Sequence, residues 1–93
     1  MKVRVTISEN DNLEVWRLFH KYNALLDIIA YLHEENSEYS DFLNKKLDEA
    51  VYLYLDLESA KSKCNIKYRP EGKQCNNYTF DFENQEMVFE VQE

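Results

Sequence analysis

Two runs of apolar residues spaced alternately three and four apart dominate the chain. Val15, Leu18, Tyr22, Leu25, Ile29 and Leu32 form the first, and Leu43, Leu47, Ala50, Tyr54, Leu57 and Cys64 the second. At about 3.6 residues per turn, this spacing lines each set along one face of a helix. Leu25 and Leu47, mid-helix on the two facing stripes, are both expected to be almost fully buried. Only the short stretch from Glu34 to Ser37 separates the runs, so the helices are expected to fold back as an antiparallel hairpin. Ser8 and Asp11 offer start signals for the first helix, with Glu14 three beyond Asp11 as a capping-box partner. That helix runs to about Glu35. Ser37 or Ser40 caps the second, which runs to about Cys64 with Asn65 as its stop. Trp16, Phe19, Leu26 and Ile28 widen the first stripe, and Tyr39, Phe42, Val51 and Leu55 the second, so each helix is expected to be covered on more than one side.

The flanks follow a different period. Residues 2–7 alternate polar and apolar, as a half-buried strand does. Lys67 to Lys73 holds the only Pro and the only Gly and reads as a turn. Beyond it Tyr78, Phe80 and Phe82 alternate with Thr79, Asp81 and Glu83. After an Asn84-Gln85 turn, Met87, Phe89 and Val91 alternate with Val88 and Glu90, completing a β-hairpin with one aromatic-rich face. A lone hairpin is marginal in water, so strand 2–7 should make it three-stranded. The fold class is therefore α+β: one domain over residues 1–93, an antiparallel helical hairpin packed on a small three-stranded β-sheet in the order β-α-α-β-β. Strand order stays open.

Composition narrows the chemistry. One Gly in 93 residues leaves no room for phosphate loops, nucleophile elbows or dinucleotide fingerprints, each of which needs glycine where backbone meets ligand. The opening MKVRVTI is not an export signal, and no run approaches the roughly 18 apolar residues of a membrane span, which favours a cytoplasmic protein without membrane contact. Cys64 and Cys75 are too few for a disulfide framework and read as free thiols. His20 and His33 lack partners at ligand spacing, so no metal or other cofactor is expected. The carboxylate pairs Glu34-Glu35, Asp48-Glu49 and Asp56/Glu58 fall on outer helix faces or in the turn, where carboxylates are solvated. No catalytic residue is assigned and the chain is read as a non-enzyme.

Charge and aromatics point to association. Eighteen acidic against eleven basic residues give a net charge of −7, which disfavours direct nucleic-acid binding. The basic residues gather between Lys61 and Lys73, and residues 74–93 carry five acids with no Lys or Arg. Lys67, Tyr68, Arg69 and Lys73 are thus candidate contacts for an acidic partner, although a helix C-terminus carries such charges against its own dipole in any case. Asp81 and Glu83, with Glu90, are candidates for a basic one. Tyr31 and Tyr52 lie off the stripes and are candidate exposed contacts. Trp16, Phe19 and Tyr39 exceed what three strands can cover, so a homodimer is expected.

The stretch Val15-Trp16-Arg17-Leu18-Phe19-His20-Lys21-Tyr22-Asn23-Ala24-Leu25, then Asn36-Ser37-Glu38-Tyr39, then Tyr78-Thr79-Phe80-Asp81-Phe82-Glu83 resembles the small accessory proteins encoded beside Cxxx-repeat peptides and radical-SAM maturases. The resemblance implies an accessory module of a peptide-modification system that binds a protein or peptide, and it assigns no site residue. The alternative from another class is an acidic nucleic-acid mimic that inhibits a nuclease or other nucleic-acid-binding enzyme, as in phage or defence systems.

Overall fold

Residues 1–35 and 40–92 are described by the computed structural model, in the order β1 (Lys2–Thr6), α1 (Glu9–Glu35), α2 (Ser40–Tyr68), β2 (Cys75–Asp81) and β3 (Glu86–Val91). Ser37 as a cap, Tyr39 on the second stripe and Asn36 to Tyr39 of the resemblance lie outside the described residues. The architecture is α+β: two antiparallel helices on a three-stranded antiparallel sheet.

Ser8 starts α1. Its Oγ accepts the Asp11 N–H at 3.1 Å and its carbonyl accepts that of Asn12 at 3.0 Å. Asp11 therefore sits inside the first turn, where a carboxylate meets the positive helix end, and not at the cap expected of it. The second helix runs past Cys64 and Asn65 to Tyr68, so Lys67 and Tyr68 belong to its last turn and not to the loop. Asn65 does not stop the helix, since its carbonyl still accepts the Arg69 N–H at 3.1 Å. Pro70 then disfavours helical backbone at the residue before it, and Gly72 takes the left-handed φ of 71° that the turn requires.

In the sheet β3 lies between β1 and β2. Val5, Met87 and Phe80 stand in register, as do Val3, Phe89 and Tyr78, with a bulge at Asn76 between Cys75 and Asn77. Residues on the central strand lose the most water: Met87 and Phe89 are fully buried, while Tyr78 and Phe80 on the edge are half-buried. The β2–β3 turn is longer than the expected Asn84-Gln85 pair. Strand β2 ends at Asp81, so Phe82 and Glu83 join a turn closed by Gln85 at φ 56°. Tertiary bonds set that geometry. The Gln85 side chain donates to the Ile7 carbonyl at 2.8 Å, the Ile7 N–H to the Gln85 carbonyl at 3.0 Å, and the Asn12 side chain to the Phe82 carbonyl at 3.1 Å.

The sheet meets only one end of the hairpin. Its core joins Val15 with Leu57, Ala60 and Cys64 beneath Met87 and Phe89. Strand β2 crosses from Asn65 on α2 and Arg69 just past its end, near Cys75, to Trp16 and Phe19 on α1, near Phe82. Beyond Tyr22 and Tyr54 the helices pack on each other alone, through Leu25, Leu32 and Ala50. Leu47 is 43% exposed, contrary to its expected burial, whereas Leu25 is 8% exposed as anticipated. The inner line of α2 follows Leu43, Lys46, Ala50, Leu53 and Leu57, one residue off the expected stripe at two of its steps. The Lys46 stem lies partly buried, with its ammonium 5.0 Å from the centre of the Phe42 ring and 3.2 Å from Glu49.

Candidate interaction surfaces

Of the basic candidates, two are engaged within the chain. The Lys67 ammonium lies 2.9 Å from Asp11 Oδ2, and the Tyr68 hydroxyl donates to the same oxygen at 2.6 Å. The Tyr68 hydroxyl also accepts the Ser8 N–H at 2.9 Å. These bonds tie the end of α2 to the start of α1. The Tyr68 hydroxyl and, after it, Lys67 hold the Asp11 carboxyl below its ordinary range. Lys67 and Tyr68 are thus a clamp on the hairpin base, which sequence spacing could not reveal because Asp11 lies 57 residues from Tyr68. Arg69 and Lys73 remain exposed on either side of Gly72.

The acidic candidates also divide. Asp81 accepts from the Asn84 side chain at 2.8 Å and backbone at 3.2 Å, and pairs with Arg4 at 3.2 Å, so its carboxyl is held low. Arg4 reaches Glu86 as well, at 3.1 Å, on the outer sheet face. Glu83 is exposed beside a shallow depression lined by Trp16 and Phe82. The expected acidic face is therefore partly neutralised by Arg4.

Tyr31 and Tyr52 are 62% and 70% exposed. They stand among other uncovered apolar side chains on the far half of the hairpin, including Ile28 and Phe42. A separate open groove of about 320 Å³ runs between the helices there, walled by Tyr22, Leu26 and Ile29 from α1 and Leu47, Val51 and Tyr54 from α2. Among the described residues no charged side chain lines it. It continues the face that carries the sheet, beginning just beyond a smaller cavity of about 230 Å³ between the β2 aromatics and Phe19, Leu57 and Lys61. Leu26 and Val51, two of the extra stripe positions, were the legible signal for it. Their common face was not legible, because it depends on how far the sheet reaches.

Little here is arranged for chemistry. Among the described residues the smaller cavity offers Lys61 and Tyr78 as ionisable groups, and Lys61 is paired with Glu58 at 3.2 Å. Among the described residues no group of His, Cys, Asp and Glu could hold a metal ion, and no helix is long and apolar enough to cross a membrane. Cys64 and Cys75 are free thiols; burial pushes the Cys64 thiol up, which makes it a poor nucleophile. Comparison with protein families, curated proteins and solved structures finds no match.

Proposed function

We propose that the chain is a non-catalytic interaction module, and that its partner is a protein or peptide of a peptide-modification system of the kind its sequence resembles. One observation carries this reading: large apolar side chains stand exposed over the far half of the hairpin, outside the groove as well as in it. Tyr31 and Tyr52 suit such contacts, joining broad apolar rings to a polar tip. The clamp on Lys67 and Tyr68 moves the preferred surface from the basic turn to this aromatic one. The acidic-mimic alternative draws less support, since Arg4 offsets Asp81 and Glu86 on the outer sheet face.

The test is affinity capture of the tagged protein from its own cells at about 0.1 M and 1 M salt, where the Debye length falls from about 10 Å to 3 Å. A peptide maturase or its precursor peptide should co-purify at both salts and be lost with Tyr31→Ser/Tyr52→Ser. Capture that survives this variant but fails with Arg69→Glu/Lys73→Glu would return the site to the basic turn. Capture of a nuclease, lost on reversing Glu83 and Glu90, would favour the mimic.

A further inference from the structure

We infer that the hairpin groove is the contact face for a second copy of this chain, forming an antiparallel four-helix bundle. The proposal goes beyond the partner reading above, because Tyr31 and Tyr52 do not line this groove.

Three observations select a second copy as the occupant. The first is charge. At −7 the chain carries a net self-repulsion, and the groove walls offer an uncharged area where two copies can meet without like charges face to face. The second is shape. The sheet fills the layer above the helices at one end, so a second hairpin can lie on the bare part only with its own sheet at the opposite end. That arrangement is a two-fold one, with α1 over the partner's α1 and α2 over its α2. The Tyr22 and Tyr54 rings are 5.7 Å apart, which in antiparallel helices sets Leu26 level with Ala50 and Ile29 level with Leu47. The two-fold axis then passes near Ile29 and Leu47, midway along the bare stretches of α1 and α2.

The third is area. Fourteen or so residues of each helix lie beyond the sheet, a length of about 20 Å, and two helices side by side are about 20 Å wide. Each copy thus offers roughly 400 Å² of footprint, before the interlocking of side-chain ridges. The two footprints total about 800 Å², below the roughly 1,200 Å² at which standard-sized interfaces begin, so the dimer should be a weak one.

Light scattering and sedimentation equilibrium between about 1 and 100 µM test this. The mass should rise with concentration from 11.2 kDa towards twice that value. Added salt should strengthen the dimer by screening its self-repulsion. Val51→Glu, at a position 57% exposed in the single chain, should stay monomeric at 100 µM with an unchanged circular dichroism spectrum. Under mild oxidation Leu47→Cys should form a disulfide with its own counterpart, whereas Ile66→Cys, at a 78% exposed position near the sheet end, should not. A mass that stays at 11.2 kDa across the range, a dimer that persists in folded Val51→Glu, or cross-linking at residue 66 in preference to 47 would each overturn the proposal.

Discussion

Tyr68→Phe isolates the clamp at the hairpin base, because it removes one oxygen and leaves the ring packed against the core. That oxygen donates to Asp11 at 2.6 Å and accepts from the Ser8 N–H at 2.9 Å. A hydrogen bond to a charged group contributes about 1.5–3 kcal/mol. Here the lower figure applies, since the Asp11 side chain is 24% exposed and Lys67 stays at 2.9 Å to hold it. Ser8 is exposed, so water replaces the second bond. A loss of about 1.5 kcal/mol lowers the melting temperature of a domain this size by roughly 6–12 °C. The loss should depend on pH. Asp11 titrates below its ordinary 3.8 in the folded chain, so its carboxylate contributes stability above that value and ceases to as pH falls through the folded pKa. Thermal melts followed by circular dichroism should show the full gap between parent and variant at neutral pH and a narrower one near pH 2.5, where unfolded Asp11 is protonated. A gap under about 2 °C at neutral pH, or one that does not narrow in acid, would refute the clamp as described.

Other outcomes follow from burial. Leu57→Ala, at a 4% exposed position beneath the sheet, should cost about 2–5 kcal/mol. Leu47→Ala, at 43% exposure, should cost under about 1 kcal/mol in dilute solution, and equal losses by denaturant titration would show that the inner line of α2 is misplaced. In the folded protein Cys75 should react with a thiol reagent well before buried Cys64, a rate order that mass spectrometry of the labelled peptides reads directly. Gly72→Ala meets open space but keeps the left-handed φ of 71°, so chemical denaturation should show a loss of about 1 kcal/mol from backbone strain alone.

How much could be read in advance followed from the range of the interaction responsible. Alternation along residues 78–82 and 87–91 set the inner face of the sheet correctly, because side-chain direction in a strand is fixed locally. Phe80 does meet Met87, and Tyr78 meets Phe89. The ends of α2 and β2 were misjudged for the opposite reason. Asp11 holds Tyr68, and Ile7 and Asn12 hold the turn at residues 82–85, all across long sequence separations. Leu47 failed more narrowly. Lys46 and Leu47 differ by 100° around the helix, both fit a three-four spacing, and the longer lysine stem lies inward while its charge finds Glu49. Among the site residues, exposure of Tyr31 and Tyr52 was legible from their place off the stripes, whereas the engagement of Lys67, Tyr68 and Asp81 was not.

The helices are longer than the sheet can use. At about 4.8 Å per strand, three strands cover about 14 Å of helices that run for about 40 Å. Two helices packed only on each other gain little from burial, and the far half relies on Leu25, Leu32 and Ala50. A chain selected for stability alone would end its hairpin near Tyr22 and Tyr54, where the sheet ends. The length beyond adds backbone to be ordered and leaves apolar side chains such as Leu26, Ile28 and Val51 in water. Local opening should therefore begin at the far end and spare the clamped base, a gradient that hydrogen exchange would resolve residue by residue. Contacts from another chain stabilise a molecule most where its own contacts are fewest, and in this one that is the bare half of the hairpin.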